Sequence, residues 1–282
     1  MSIDREIELP GRGRTQVRDI PGPAGAPAVV LLHGLGATGR LNWGPCLRPL
    51  SEHFRVVCVD HRGHGQGLRT SRFRLADCAD DAVLIAEQLD LGRFLAVGYS
   101  MGGPIASLTW HRHPEHVAGL VLCATARHFM TRKLARGARM VLASAAMIAR
   151  LVPGAAQDRF LARMLARVEH PQLRERIVSE LSGHEPSTVI QAAGAVARFS
   201  SHDWIGRVDV PTSVIVTTKD ELVPPARQRK LAASIPNASA FEVHGNHAAC
   251  IAKANVFAPT LVRACRDVAR RADFTPRLAT AV

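Results

Sequence analysis

The chain has 282 residues, of which 47% are hydrophobic and 21% charged, a composition typical of a folded globular protein and unlike that of a disordered or fibrous one. Its formal net charge is +12, but no basic run is interleaved with aromatic side chains, so a nucleic-acid-binding surface is not expected. The longest apolar stretch, residues 140–152, is interrupted by Arg150 and is too short to span a membrane.

The cysteines and the first residues of the chain predict its compartment. Charged residues recur throughout the first fourteen positions, so we expect neither a secretory signal nor a membrane anchor there. Six cysteines are scattered without Cys-x-x-Cys spacing, which predicts buried thiols in a reducing, cytoplasmic compartment. No cluster of residues has the spacing of zinc ligands, so no metal is expected.

Short apolar runs alternate with helical patterns along most of the chain. This alternation predicts an α/β fold whose mostly parallel sheet is covered by helices. The runs are nearly continuous, as strands buried on both faces should be. Six such runs predict strands at residues 28–32, 56–59, 94–97, 120–123, 213–216 and 240–243. Apolar residues spaced three and four apart predict helices over residues 75–89 and 248–272.

The alternation fails over residues 127–207, where the pattern is helical and broken by proline and glycine. We therefore predict a helical insertion there, with residues 1–126 and 208–282 forming the core domain. The insertion holds 13 Lys and Arg residues against 6 Asp and Glu, so it carries +7 of the net charge of +12. The excess positive charge is concentrated in this segment.

Residues 98–103 read Gly-Tyr-Ser-Met-Gly-Gly and lie between the predicted strand 94–97 and a helical pattern. A sharp turn from strand to helix strains the backbone at its centre, Ser100, and requires Gly98 and Gly102 to lack side chains. Such a turn exposes a serine hydroxyl at the edge of the sheet, where it can act as a nucleophile. An ordinary glycine-rich turn is the alternative.

A serine hydroxyl becomes a good nucleophile only beside a base that a carboxylate orients. In this arrangement the acid and then the histidine follow the serine along the chain. Asp220 stands where a predicted strand gives way to a loop, and Glu221 competes for the same role. His247 follows the last predicted strand, with His244 as its rival. We expect Asp220 and His247 to meet Ser100.

A His-Gly-Leu-Gly sequence directly follows the predicted strand 28–32. Its glycines, Gly34 and Gly36, allow the backbone to approach the serine. We expect the backbone N–H groups of Leu35 and Met101 to form an oxyanion hole. His33 is expected to brace this loop by hydrogen bonding.

A second loop rich in glycine and histidine, residues 60–67, follows the predicted strand 56–59. Taken alone, such a loop could suggest a metal or phosphate site. It lacks the Lys-Ser or Lys-Thr ending of a phosphate-binding loop. We therefore interpret it as a structural turn below the site.

Together these motifs resemble the α/β-hydrolase superfamily, in the lidded branch that includes bacterial esterases, lipases and haloperoxidase-like proteins. Five motifs occur in the family's order: HGLG at 33–36, DHRGHG at 60–65, GYSMGG at 98–103, DELVPP at 220–225 and GNH at 245–247. The resemblance covers nearly the whole chain. It implies an eight-stranded sheet, a lid at residues 127–207 inserted after the sixth strand, and no cofactor. Asn246 departs from the Gly-His or Asp-His of many relatives.

The resemblance and the motifs predict a serine hydrolase that cleaves a lipid-like or medium-chain carboxylic ester through an acyl-enzyme. His247 would take the Ser100 proton, Asp220 would orient His247, and the oxyanion hole would hold the developing charge. The expected partner is a small-molecule ester. An acyl thioesterase, suggested by the basic insertion, and a non-catalytic binding member of the fold are the alternatives.

Residues 139–152, within the insertion, are apolar on nearly every side. They either pack against the core domain or line a pocket for the acyl chain, and both interpretations stay open. In the second case the basic residues around them would face anionic lipid or a phosphate-bearing acyl carrier. These residues are Arg132, Lys133, Arg136, Arg139 and Arg150.

Overall fold

Eight strands form one sheet in the computed structural model, which describes residues 3–130 and 183–274. The strands are β1 (Ile3–Leu9), β2 (Gly13–Ile20), β3 (Ala28–Leu32), β4 (Arg55–Val59), β5 (Phe94–Tyr99), β6 (Val117–Cys123), β7 (Thr212–Thr217) and β8 (Ser239–Val243). Their order in the sheet is β1-β2-β4-β3-β5-β6-β7-β8. The pairs β1–β2 and β2–β4 are antiparallel and all others are parallel. The predicted α/β fold with a mostly parallel eight-stranded sheet is confirmed.

Every predicted strand lies within an observed one, because the central strands bury both of their faces. All residues of β3, β5, β6 and β7 are buried. Alternate residues of one strand belong to opposite faces of the sheet: Val30 and Leu32 pack on one side, and Val29 and Leu31 on the other. Continuous apolar runs are therefore a reliable signal for these strands.

The hairpin β1–β2 was not predicted from the sequence. Its strands pair at one edge of the sheet, and several of their side chains face solvent. Charged residues accordingly alternate with apolar ones, and exposed positions alternate with buried ones along β2. The hairpin therefore contains no continuous apolar run that would indicate a strand. Arg18 of β2 pairs with Asp4 of β1 at 2.7 and 2.9 Å, a cross-strand ion pair on the exposed side of the hairpin.

Helices cover both faces of the sheet. The helices are α1 (Gly39–Ser51), α2 (Leu75–Gln88), α3 (Gly102–Arg112), α4 (Pro186–Arg198), α5 (Pro225–Ala232), α6 (Ala249–Ala252) and α7 (Ala254–Arg271). Helices α2 and α3 pack on one face, and α1 and α7 on the other. The predicted helix 75–89 corresponds to α2, whereas the predicted helix 248–272 is divided at Lys253, where φ is −128°. Within the described residues, no helix is both long and apolar enough to cross a bilayer.

The chain between the neighbouring strands β6 and β7 contains the predicted insertion. Its described part includes α4 and a 3-10 turn, Ile205–Arg207. Residues 131–182 lie outside the described part, and with them the apolar segment 139–152 and the basic residues around it. The helical insertion as a whole stays a prediction.

Residues 183–191 contact the core domain at the glycine- and histidine-rich turn, residues 60–67. The N–H of Glu185 donates to the carbonyl of Gly63 at 3.0 Å, and a Cβ on Gly63 would overlap the Thr188 side chain. Further along, the N–H of Phe73 donates to the Gln191 side chain at 3.1 Å. The turn therefore serves as the surface on which α4 is seated.

Candidate active site

Ser100 sits in a strained turn between β5 and α3. Its φ is +51°, in the left-handed region that residues other than glycine rarely adopt. Three hydrogen bonds hold it there. Its N–H donates to the Cys123 carbonyl at 2.9 Å, and its own carbonyl accepts from the Thr125 hydroxyl at 2.8 Å and the Gly103 N–H at 3.0 Å. Strain held by surrounding contacts is typical of a functional site.

The glycines around Ser100 are required by close packing. A Cβ on Gly98 would overlap the backbone of Gly102, and a Cβ on Gly102 would overlap the carbonyl of Leu32 on the neighbouring strand. Gly103, which the sequence motif did not single out, has no room for a side chain because that of Thr125 fills the space. The turn can be this tight only with glycine at all three positions.

His247 lies against the serine hydroxyl. Its Nε2 is 2.9 Å from Ser100 Oγ, and its Nδ1 is 2.7 Å from Asp220 Oδ2. An ionised carboxylate only accepts hydrogen bonds, so Nδ1 carries the hydrogen and Nε2 is left to accept from the serine. This arrangement allows His247 to remove a proton from Ser100.

Asp220 is buried, and several donors stabilise its charge. Oδ1 accepts from the N–H groups of Leu222 and Val223 at 3.0 and 2.9 Å. Oδ2 accepts from His247, from the Thr217 hydroxyl at 2.8 Å and from Gln228 Nε2 at 3.1 Å. Burial by itself would raise the pKa of Asp220, but the hydrogen bonds from His247, Val223 and Thr217 lower it below its usual value.

Two of these donors, Thr217 and Gln228, were missed by the sequence analysis. Thr217 is the last residue of β7, and Gln228 lies on α5; both are fully buried. Gln228 also donates to the Val223 carbonyl at 2.7 Å, so it ties α5 to the loop that carries Asp220. A lone glutamine on a short helix offers no sequence signal for this role.

The rival residues lie elsewhere. His244 is exposed, with its Nδ1 3.3 Å from the Thr218 hydroxyl, and Glu221 is exposed on the surface. Of the sequence candidates, the structure brings together Ser100, Asp220 and His247. Their catalytic roles remain a prediction.

The loop that contains Gly34 lies beside the serine. A Cβ on Gly34 would be 3.4 Å from Ser100 Cβ, and Gly36 adopts a φ of +66°. Among the described residues, neither the Leu35 N–H nor the Met101 N–H donates a hydrogen bond. Their role as an oxyanion hole stays a prediction.

His33 braces this loop from below. It is fully buried, and burial lowers its pKa to about 3, so the ring is neutral. Its Nδ1 donates to the Gly34 carbonyl at 2.7 Å, and its Nε2 accepts the His61 N–H at 2.9 Å. His33 thus connects the loop beside the serine to the turn at residues 60–67.

The buried rings of His61 and His64 pack against His33, with ring centroids 4.2 and 5.3 Å from it. Within residues 3–130 and 183–274, no three His, Cys, Asp or Glu side chains are grouped so that they could hold a metal ion. The cluster is thus built from packed neutral rings. Asp60 secures the start of the turn, where its carboxylate accepts from the N–H groups of Gly39 at 2.6 Å and Gln66 at 2.9 Å.

Comparison with known proteins decides the family. A family model described as the alpha/beta hydrolase fold matches residues 27–254, which include every sequence candidate for the site. The chain belongs to the α/β-hydrolase fold family. The resemblance drawn from the five motifs is confirmed.

Relatives of this α/β hydrolase match over most of its length. The poly(3-hydroxyalkanoate) depolymerase of Ectopseudomonas oleovorans is 27% identical over 99% of this chain and 98% of its own. The pimeloyl-(acyl-carrier protein) methyl ester esterase of Chromobacterium violaceum is 31% identical over 77% of this chain and 85% of its own. These relatives place the protein among the hydrolases of the family.

A solved structure agrees with the fold. The enol-lactonase from Burkholderia xenovorans LB400 superposes with a TM-score of 0.77 and covers 92% of this chain and 98% of its own. At 24% identity, this likeness shows the fold alone.

Proposed function

We propose that this α/β hydrolase cleaves a carboxylic ester through an acyl-enzyme, with Ser100 as nucleophile, His247 as base and Asp220 as the orienting acid. The observation that carries the proposal is the pair of contacts made by one imidazole: 2.9 Å to Ser100 Oγ and 2.7 Å to Asp220 Oδ2. A neutral imidazole with its proton on Nδ1 has its other nitrogen ready to receive the serine proton.

In the first half-reaction, Ser100 Oγ attacks the ester carbonyl carbon while its proton moves to His247 Nε2. The carbonyl oxygen becomes an oxyanion, which the N–H groups of Leu35 and Met101 stabilise. Met101 is the residue just before α3, where the helix dipole adds to this stabilisation. The protonated His247 then gives its proton to the departing alkoxide, and the alcohol leaves the acyl-enzyme.

In the second half-reaction, His247 takes a proton from water, and the resulting hydroxide attacks the acyl carbon. Collapse of the second oxyanion breaks the bond to Ser100 Oγ, which regains its proton from His247. The carboxylic acid is released. Asp220 remains ionised throughout, since its lowered pKa favours the charge that stabilises the imidazolium in both steps.

An apolar acyl group is the substrate chemistry that the surroundings favour. Leu35, beside Ser100, is 38% exposed, and Leu222, two residues after Asp220, is 76% exposed. Large exposed apolar side chains gain stability when an acyl chain covers them. We propose a lipid-like or medium-chain ester as the substrate, with residues 127–207 as a lid over the site.

An acyl thioester is the second candidate, favoured by the charge of +7 carried by residues 127–207. A basic surface would attract the phosphates of a thioester carrier. Turnover of acyl-CoA that exceeds turnover of the matching neutral ester, and that falls as salt rises, would support this substrate. Equal turnover, insensitive to salt, would reject it.

A fluorophosphonate probe tests the mechanism, because it modifies only an activated serine. We expect the wild type to be labelled at Ser100 and Ser100→Ala to be unlabelled. A panel of p-nitrophenyl esters with acyl chains of two to sixteen carbons should then show Ser100-dependent hydrolysis, lost by several orders of magnitude in Ser100→Ala. An unlabelled wild type, or equal labelling of Ser100→Ala, would contradict the proposed mechanism, and an unlabelled wild type would favour a non-catalytic binding protein.

A further inference from the structure

A chain of buried polar groups joins the loop beside Ser100 to the loop that carries His247. The N–H of Gly34 donates to Asn42 Oδ1 at 2.9 Å. Asn42 Nδ2 donates to Cys250 Sγ at 3.5 Å. At the other end, the Tyr99 hydroxyl donates to the carbonyl of His247 at 2.8 Å. The three side chains come from three separate elements, α1, β5 and α6.

The orientation of Asn42 is determined by its neighbours. Only the amide oxygen can accept the Gly34 N–H, so the amide nitrogen has to face Cys250. Asn42 is buried in the middle of α1, where an amide without partners would be costly. Both ends of its side chain are therefore used to connect other elements.

Cys250 and Tyr99 lie at the His247 end of this arrangement: Cys250 is on α6, three residues after His247, and Tyr99 is the last residue of β5, directly before Ser100. Burial raises the pKa of the Cys250 thiol to about 12 and also raises that of Tyr99, so both groups keep their hydrogens. The one hydroxyl hydrogen of Tyr99 points at the His247 carbonyl. Cys250 therefore accepts from Asn42, and Tyr99 donates to His247.

The hydrogen bonds at Gly34 affect the proposed oxyanion hole, because they fix the backbone next to the Leu35 N–H. Gly34 is held on both sides, by Asn42 at its N–H and by His33 at its carbonyl. The Gly34 carbonyl and the Leu35 N–H belong to one planar trans peptide, so they point in opposite directions. Because His33 holds the Gly34 carbonyl, the Leu35 N–H points away from His33.

We propose that Asn42, Cys250 and Tyr99 are positioning residues that hold the Gly34–Leu35 peptide and His247 in a fixed relation around Ser100. This inference rests on the proposed ester hydrolysis. The oxyanion donor and the base both have to meet the same tetrahedral carbon, and they come from loops more than two hundred residues apart in sequence. A displacement of about 1 Å between such groups costs roughly 100-fold in rate.

Substitution of Cys250 tests its hydrogen bond with Asn42. Cys250→Ala removes the acceptor of the Asn42 hydrogen bond, whereas Cys250→Ser keeps an acceptor there. The matched control is Cys265→Ala, which removes an equally buried sulfur from the same apolar layer. With a p-nitrophenyl ester we expect Cys250→Ala to lower kcat roughly 10- to 100-fold with KM within about twofold. Cys250→Ser should recover most of this loss, and Cys265→Ala should match the wild type.

Tyr99→Phe tests the hydrogen bond to the His247 carbonyl with little risk to folding, since it removes only one oxygen atom. We expect a similar loss of kcat. Both substitutions disturb the relation between the oxyanion donor and the base, so each should lower kcat and leave KM within about twofold. The thermal midpoint of each variant, compared with that of Cys265→Ala, separates loss of position from loss of stability.

Several outcomes would overturn the proposal. One is a kcat for Cys250→Ala equal to that of Cys265→Ala; another is a kcat for Tyr99→Phe equal to that of the wild type. Failure of Cys250→Ser to restore kcat at an unchanged thermal midpoint would also contradict it. If the wild type itself shows no Ser100-dependent hydrolysis, the proposed function fails, and the positioning role fails with it. Measuring Ser100→Ala in the same assay distinguishes the two cases.

Discussion

The Thr125 hydroxyl donates to the backbone carbonyl of Ser100 at 2.8 Å, and its side chain occupies the space that Gly103 leaves empty. Thr125 therefore supports a residue whose φ is +51°. We expect Thr125→Val, which keeps the shape and removes the hydrogen bond, to lower the free energy of unfolding by about 1 to 2 kcal/mol and to reduce kcat. Urea unfolding and ester hydrolysis measure the two effects.

The matched control for this prediction is Thr109→Val. Thr109 is fully buried, and its hydroxyl donates to the Ile105 carbonyl at 2.9 Å within α3, away from Ser100. We expect a loss of stability of similar or smaller size and an unchanged kcat. Equal effects of the two substitutions on kcat would contradict a specific role for Thr125.

Replacement of Asp220 by asparagine tests its proposed role in orienting His247. An amide of the same shape places a donor where His247 Nδ1 needs an acceptor, so the imidazole no longer holds its proton on Nδ1. We expect kcat of Asp220→Asn to fall by about four orders of magnitude. Glu221→Gln, at the exposed neighbouring position, should retain wild-type kcat. A small loss in Asp220→Asn would show that another group orients the histidine.

Gly102 is closely packed and Gly44 is not, so replacement by alanine should have opposite effects on stability at the two positions. Gly102→Ala should destabilise the fold by several kcal/mol, or prevent folding, because its Cβ would overlap the Leu32 carbonyl. Gly44 lies inside α1 just before Pro45, and, apart from its chain neighbours and the nearby backbone of α1, a Cβ added there would meet no atom within 4 Å. Gly44→Ala should therefore stabilise the protein by about 0.5 to 1 kcal/mol. Thermal unfolding of both variants compares them directly, and changes of the same sign would contradict the packing argument.

The buried histidines predict a loss of stability on mild acidification. Burial lowers the pKa of His33 to about 3 and those of His61 and His64 well below their ordinary value. Below about pH 6.5 these histidines bind protons in the unfolded chain but stay neutral in the folded protein. Stability is therefore fully present above that pH and is lost as the pH falls toward the folded values. The loss approaches about 1.4 kcal/mol per pH unit for each histidine.

This pH dependence is measured by urea unfolding between pH 7.5 and 5, above the range of most carboxylates. His64→Phe should reduce the slope of stability against pH by about one proton, whatever its effect on stability itself. His53→Gln, on the exposed surface, should leave the slope unchanged. A slope that His64→Phe does not alter would contradict the burial argument.

Leu222 predicts acyl-chain preference. Its side chain is 76% exposed, while its N–H is held by Asp220, so the side chain projects from a fixed backbone. We expect Leu222→Ala to lower kcat/KM for a long-chain ester by about five- to tenfold and to leave the acetate ester unaffected. Val256→Ala removes an exposed apolar side chain from α7 and should change neither value. An equal loss for both esters would remove Leu222 from the acyl site.

The sequence by itself determined the central strands of the sheet and the location of the proposed nucleophile. The strands that flank Ser100 are apolar throughout because both of their faces are buried, and glycine is the only residue that fits positions 98 and 102. Both features depend on local chemistry and leave a local pattern. The exposed hairpin β1–β2 left no such pattern because half of its side chains contact water.

Only the tertiary structure decided between His244 and His247, which are three residues apart and alike in sequence context. The choice depends on which imidazole reaches a serine 147 positions away, at 2.9 Å. The same holds for Gln228 beside Asp220 and for Asn42 beside Cys250, whose side chains meet after the chain has folded. A buried polar side chain is stable only with a partner, and partners distant in sequence leave no periodicity to read.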